Sequence, residues 1–120
     1  MESQLIPQLS TEFTIHGRVY ELVPFLKEGE SYVSGDTMVE RALELGANLG
    51  EKDGTLILEL QDQIPQRLRG KFSLVFTAWR IPSGPQFVAY LDWGGTRWHR
   101  NWYWLDDGWI DGARLVRRKT

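Results

Sequence analysis

Asp92 and His99 are the two side chains of this chain whose types and spacing come nearest to acid–base chemistry. A carboxylate and an imidazole can share general-base work when both reach the same substrate. They fall on one face of the sheet predicted below, so a small hydrolase or lyase is one hypothesis. The sequence reveals neither a substrate pocket nor a serine placed for a relay. We therefore assign no catalytic residue and favour a protein that is not an enzyme.

The run "DDGWIDG" invites a calcium site but lacks its spacing. A calcium loop needs oxygen ligands at alternate positions and a bidentate glutamate at the twelfth. Counted from Asp107, the third position is Trp109 and the twelfth is Arg118. Neither histidine of the chain has a neighbour at metal-ligand spacing, and the sequence has no cysteine. The glycines of "GANLG" and "GEKDG" lack the Gly-Lys-Ser/Thr of a phosphate loop. We expect no metal and no cofactor.

Aromatic side chains are concentrated in the second half, where five of the six tryptophans lie between Asp92 and Trp109. From Lys71 onward the apolar pattern has a period of two, which divides the side chains between two faces of a sheet. One face mixes flat rings with hydrogen-bonding edges, as recognition surfaces do. The residues of this face that we predict to bind a partner are Trp79, Tyr90, His99, Asn101, Tyr103 and Arg114.

The elements that must position these residues predict an α+β fold. "TEFTIHGRVYELV" alternates around His16-Gly17, which predicts an N-terminal β-hairpin or one bent strand. Ser34 or Asp36 can cap a first helix over "SGDTMVERALELG", since its first N–H groups need an acceptor. We prefer a second helix to a strand at Thr55–Leu60, because "QDQ" continues the segment without a turn signal.

Four strands follow the two helices and predict an antiparallel meander. Their sequences are "KFSLVFTAWRI", "QFVAYLDW", "TRWHRNWYWL" and "GARLVRR". The connections are "PSGP", the pair Gly94-Gly95 and "DDG", all rich in residues that fix or free φ. A two-residue turn at the glycine pair sets Asp92 opposite Arg97, which predicts a cross-strand ion pair.

These turns give the meander one apolar, tryptophan-rich face, which we interpret as the core beneath the helices because a soluble protein does not expose so large an apolar surface. Its members are Phe72, Leu74, Phe76, Ala78, Phe87, Ala89, Leu91, Trp98, Trp102 and Trp104. Arg100 falls on the same face, where we expect its guanidinium to stack on an indole. The opposite face is either covered by the N-terminal hairpin or open to a partner.

Length and charge are typical of one domain. The 120 residues, 42% hydrophobic and 25% charged, suffice for a single core. We expect a flexible tail at 1–10 and one globular α+β domain at 11–120. Residues 1–60 carry 11 acidic and 4 basic side chains (−7), and residues 61–120 carry 5 and 10 (+5). We interpret this division as attraction within the fold, with a phosphate-binding face or contact between subunits as alternatives.

The remaining features favour a non-enzymatic binding module with a protein partner. Stacking on a carbohydrate, such as a small sugar, or on single-stranded nucleic acid is the alternative, although the net charge of −2 disfavours nucleic acid. The apolar runs are far shorter than the roughly 20 residues that cross a bilayer, and the N-terminal segment does not resemble a signal peptide. We expect a cytoplasmic protein of bacterial type without membrane contact. Its oligomeric state stays open.

Overall fold

A computed structural model describes residues 11–119, so the tail predicted at 1–10 lies outside the described residues. The described chain is an α+β fold with two helices and a mostly antiparallel sheet, as the sequence predicts. Two 3₁₀ turns, Gln61–Gln63 and Gln66–Leu68, follow the second helix. In chain order the strands and helices are β1 (Glu12–Ile15), β2 (Arg18–Val23), β3 (Tyr32–Val33), α1 (Gly35–Glu44), α2 (Glu51–Glu59), β4 (Ser73–Ile81), β5 (Gly84–Trp93), β6 (Trp98–Trp104), β7 (Trp109–Ile110) and β8 (Ala113–Arg118). Neither helix of this part of the chain has the length and apolar character needed to span a membrane.

The N-terminal hairpin and both helices form where local signals predict them. His16 and Gly17 turn the chain with φ of 52° and 80°, the left-handed pair that a tight hairpin requires. The Ser34 hydroxyl caps α1 by accepting a hydrogen bond from the N–H of Thr37 at 3.2 Å. The ambiguous segment Thr55–Leu60 lies at the end of α2 and not in a strand.

The strand order corrects the predicted four-stranded meander. β4, β5 and β6 are consecutive antiparallel neighbours, but β8 returns to the other side of β4 and pairs with it in parallel. The N-terminal hairpin joins β8, so the six-stranded order is β1-β2-β8-β4-β5-β6. The short β7 pairs with β3 as a separate ribbon. Leu115 and Val116 are adjacent and both buried, as expected of a central strand covered on both faces.

The two helices cover opposite faces of the sheet. The face under α2, called the α2 face, holds most of the predicted apolar core, including Leu74, Phe76, Ala89, Leu91 and Trp98. On the other side, called the α1 face, the core includes Met38 and Ala42 of α1 and Trp109 of β7. This second face is therefore covered in part by α1 and the β3–β7 ribbon, whereas the N-terminal hairpin lies within the sheet itself.

A β-bulge in β4 exchanges the faces predicted for two residues. The pairing of β4 with β5 shifts register between Phe76 and Arg80. Trp79 consequently turns into the α2-face core, where it is 5% exposed and edge-on to Phe76 with ring centroids 6.1 Å apart. Ala78, which was predicted to be core, is exposed. An uninterrupted period of two along β4 predicted the reverse.

The β5–β6 connection is a four-residue loop and not a two-residue turn. Residues 94–97 form this loop, which closes where the N–H of Gly94 donates to the carbonyl of Arg97 at 2.8 Å. Asp92 therefore faces His99 across the strands instead of Arg97. Because the register shifts by two residues, every side chain of β6 keeps its predicted face.

Ion pairs within the sheet join the acidic and basic halves of the chain. Arg117 of β8 lies 2.6 Å from the Glu21 carboxylate of β2, and Lys119 lies 2.6 Å from Glu12. Both contacts connect a base of the second half to an acid of the first half. They support the interpretation that the charge division stabilises one fold.

The Glu30–Arg41 ion pair ties α1 to the loop after β2. The two terminal nitrogens of Arg41 donate to the two carboxylate oxygens at 2.6 and 2.9 Å. These bonds, together with one from the backbone N–H of Lys27, lower the pKa of Glu30 from its ordinary 4.5 to about 2. Since the pKa is lower in the folded chain, the stabilisation is complete above pH 4.5 and disappears as the pH falls toward 2.

We expect Glu30→Gln to lower the thermal midpoint at neutral pH and to lose this effect in acid. The variant and the wild type should differ most above pH 4.5 and converge as the pH approaches 2, because protonated Glu30 no longer attracts Arg41. Thermal melts followed by circular dichroism at several pH values measure the difference. Glu28→Gln, an exposed neighbour, is the matched control. A difference that persists unchanged down to pH 2 would contradict the ion pair.

Candidate functional site

Four of the six predicted binding residues lie together on β5 and β6. Asn101 is the cross-strand partner of Tyr90, and His99 and Tyr103 lie two residues to either side of Asn101 on β6. All four therefore share the α1 face. β6 is an outermost strand of the sheet, so His99 and Asn101 are exposed, whereas the two tyrosines are half-buried. We call these four residues the β5–β6 surface.

The other two predicted residues lie elsewhere. Trp79 is in the α2-face core, and α2 approaches it so closely that a Cβ on Gly54 would lie 2.4 Å from its ring. Arg114 of β8 packs its guanidinium 4.6 Å from the ring centroid of Phe72 and forms an ion pair with Asp111. Trp79 is thus separated from the β5–β6 surface, and Arg114 is held by contacts of its own.

A cleft of about 310 Å³ opens beside the β5–β6 surface. Its walls include Tyr90, Tyr103 and the buried Trp109. The rings of Tyr90 and Tyr103 stand at 90° with centroids 6.2 Å apart, and those of Tyr103 and Trp109 at 83° and 4.7 Å. The Tyr103 hydroxyl donates to the carbonyl of Gly108 at 3.4 Å, which fixes its ring against the β6–β7 loop. The cleft lies at the small end of the volume range of ligand sites.

Asp92 supplies a carboxylate to this cleft. Its Oδ1 accepts a hydrogen bond from the Ser73 hydroxyl at 3.2 Å, and both residues line the cleft with Lys71. Burial raises the pKa of Tyr90, and the negative charge of Asp92 raises it further. The Tyr90 phenol therefore stays neutral at physiological pH and can donate a hydrogen bond. Rings, a hydroxyl and a carboxylate together suit the binding of a polar or cationic group.

A side-chain amide positions the start of β6. Gln61 accepts a hydrogen bond from the backbone N–H of Trp98 at 2.6 Å and donates one to its carbonyl at 3.2 Å. Gln61 thus occupies the outer backbone groups of the first residue of this edge strand, as a neighbouring strand would. The β6 residues of the β5–β6 surface follow Trp98 along the strand, so Gln61 does not occupy their backbone groups.

Asp92 and His99, the predicted acid–base pair, are adjacent, but the nearby serine is not bonded to the histidine. Asp92 and His99 are register partners, and the imidazole lies against Gly94, where a Cβ would be 2.5 Å from its Cδ2. The Ser73 hydroxyl donates to Asp92 and not to the imidazole. A hydrolytic triad instead places the histidine between serine and carboxylate. Within residues 11–119 there is also no group of three His, Asp or Glu side chains that could hold a metal ion.

The chain has no match among protein-family models, curated proteins or solved structures.

Sequence reasoning missed one side of the cleft. Trp109 reaches it because β7 pairs with β3, and Ser73 because β4 lies beside β5. Both pairings join segments that are distant in the sequence. The one local signal was "DDGWIDG", in which a tryptophan lies between two turns and must be covered by another element.

Proposed function

We propose that this protein is a non-enzymatic binding module for another protein, and that contact is made by the β5–β6 surface and the adjoining cleft. The observation that best supports this proposal is the cleft. Elsewhere on this face the packing of α1 buries Met38 and Ala42, whereas Tyr90 and Tyr103 remain half-exposed where they line the cleft. Tyrosine is enriched at interface hot spots because its ring offers both apolar area and a hydrogen-bonding edge.

The position of the surface at the sheet edge supports a protein partner over a small ligand alone. An edge strand presents a row of backbone N–H and C=O groups with which an extended segment can pair. β6 is such an edge strand, and it also carries the exposed side chains of Asn101 and His99. A partner can therefore contact backbone and side chains at once, while one of its side chains enters the cleft.

Capture from a source-cell lysate followed by titration tests the proposal. The protein captured by the wild type is purified, and its affinity is measured for wild type, Asn101→Arg and Lys52→Ala. Asn101 is exposed within the surface, whereas Lys52 is exposed on α2 across the sheet. We expect Asn101→Arg to weaken binding at least about tenfold, the effect of a hot-spot change, and Lys52→Ala to leave it unchanged.

Two results would contradict this proposal. Equal affinity of Asn101→Arg and the wild type would place the contact elsewhere on the molecule. Capture of no protein by the wild type would refute a protein partner. Circular dichroism spectra of all three proteins confirm that a loss of binding does not reflect a loss of fold.

Stacking on a sugar or single-stranded nucleic acid is a second candidate, favoured by a ring pair on β5 and β6 of which one ring is exposed and the other half-buried. Trp104 is 44% exposed and stacks on Phe87 with centroids 6.4 Å apart. Titration with an oligothymidine and an oligosaccharide at low and high salt distinguishes the two. Nucleic-acid affinity should fall steeply with salt, whereas sugar affinity should change little.

A further inference from the structure

We propose that the cleft is a cation site that receives the ammonium head of a lysine side chain of the protein partner, and most tightly its methylated forms. The inference rests on the proposed function, because it names the group that the partner inserts. Lysine in this role would lie against the half-exposed rings of Tyr90 and Tyr103, beside the carboxylate of Asp92.

The orientation of the rings is the first observation. Tyr90 is perpendicular to Tyr103, and Tyr103 is nearly perpendicular to Trp109. A corner between two perpendicular rings presents a face of each to the same volume, and ring faces carry the negative part of the quadrupole. A compact, tetrahedral ammonium fits between such walls, whereas a planar guanidinium stacks on a single face.

The protein's own cations are the second observation. Arg69 lies over Trp93 at 4.4 Å and Arg100 over Trp102 at 5.0 Å, both away from the cleft, whereas Arg114 lies at 4.6 Å over Phe72, one of the four rings in the cleft lining. Within the described chain no arginine or lysine lies over the other three rings, Tyr90, Tyr103 and Trp109. The half-exposed rings of Tyr90 and Tyr103 are therefore open to an external cation.

The charge around the cleft is the third observation. Asp92 lines it, and Asp106 and Asp107 directly precede Gly108, which also lines it. Asp111 is neutralised by Arg114. Lys71 is the opposing charge in the lining, and because it is exposed its side chain can turn to solvent. With the Lys71 ammonium turned away, the Asp92 carboxylate is the charge of the lining that attracts a cation.

The size of the cleft agrees with one side chain. Its volume of about 310 Å³ is at the lower limit of sites for drug-sized ligands. This volume accommodates an ammonium head, its methyl groups and part of an aliphatic stem. A larger organic ligand would project onto the exposed β5–β6 surface.

The test is titration of the full chain with N-acetyl-trimethyllysine methylamide, followed by amide and indole NMR signals of Gly108, Gly112 and Trp109. The uncharged analogue, in which carbon replaces the quaternary nitrogen, is the matched probe. We expect saturable shifts at these signals, binding in the order trimethyllysine, lysine, acetyl-lysine, and at least tenfold weaker binding of the uncharged analogue.

Variants that change one charge sharpen the test. Asp92→Asn should weaken trimethyllysine binding about fivefold, the upper effect of an exposed charge pair, and Lys71→Gln should strengthen it by removing a like charge. Asp62→Asn, an exposed change after α2, should leave it unchanged. Circular dichroism and the unshifted NMR signals verify that each variant is folded.

The cation site is refuted if the uncharged analogue binds as tightly as trimethyllysine. It is also refuted if the cleft signals do not move at about 10 mM probe, ten times a millimolar Kd. If either occurs while partner affinity still falls in Asn101→Arg, the lysine inference fails and the binding module stands. If partner affinity is unaffected by Asn101→Arg, the proposed function fails as well.

Discussion

Trp98→Ala lowers the free energy of unfolding by about 3–5 kcal/mol. The Trp98 side chain is 0% exposed in the α2-face core and packs on Trp93 with ring centroids 5.9 Å apart. Its removal costs the transfer free energy of the ring and leaves a cavity. The Gln61 amide holds the Trp98 backbone in place, which limits how far the strand can move to fill that cavity. Urea unfolding followed by circular dichroism measures the loss.

Trp104→Ala is the matched control for this prediction. Trp104 lies on the same strand, but its ring is 44% exposed and stacks on Phe87. We expect this variant to lose less than about 1 kcal/mol, as for a surface ring pair. Equal losses in the two variants would contradict the division of the tryptophan-rich segment into a buried beginning and an exposed end.

Gly35→Ala has the second-largest expected effect, a loss of about 3 kcal/mol. Gly35 begins α1, and its N–H donates to the carbonyl oxygen of Leu105 at 2.9 Å. A Cβ on Gly35 would lie 2.1 Å from that oxygen, a backbone atom that cannot rotate away. The variant must therefore break this hydrogen bond and move α1 away from the end of β6. Urea unfolding again measures the change in free energy.

Gly112→Ala is the control for the glycine prediction. A Cβ at Gly112 would have no atom within 4 Å, and its φ is not in the left-handed region. We expect a change within about 0.5 kcal/mol. Wild-type stability in Gly35→Ala would mean that α1 does not pack against Leu105. It would contradict the placement of α1 over the α1 face.

The elements that the sequence predicts correctly are those specified by neighbouring residues. His16-Gly17 specifies a hairpin through its left-handed φ values, and Ser34 specifies the start of α1 through its hydroxyl. The grouping of Tyr90 with Asn101 has the same origin. Both lie on one hairpin, where alternation alone assigns the face.

The features that the sequence did not predict depend on distant pairings or on a local irregularity. β8 pairs with β4 in parallel and is buried on both faces, and the turn before β8 carries no information about that pairing. The bulge that buries Trp79 and exposes Ala78 cannot be recognised from the sequence of β4, which continues as an apolar run through it. Trp109 reaches the cleft only through the pairing of β7 with β3.

Photo-crosslinking in source cells tests the binding role of the β5–β6 surface most directly. Benzoylphenylalanine is placed at Asn101 in one protein and at Lys52 in the control, both of which are exposed positions. We expect a light-dependent adduct with one protein from position 101 and none from position 52. An adduct from position 52 alone, or none from position 101 while the captured partner stays bound, would contradict it.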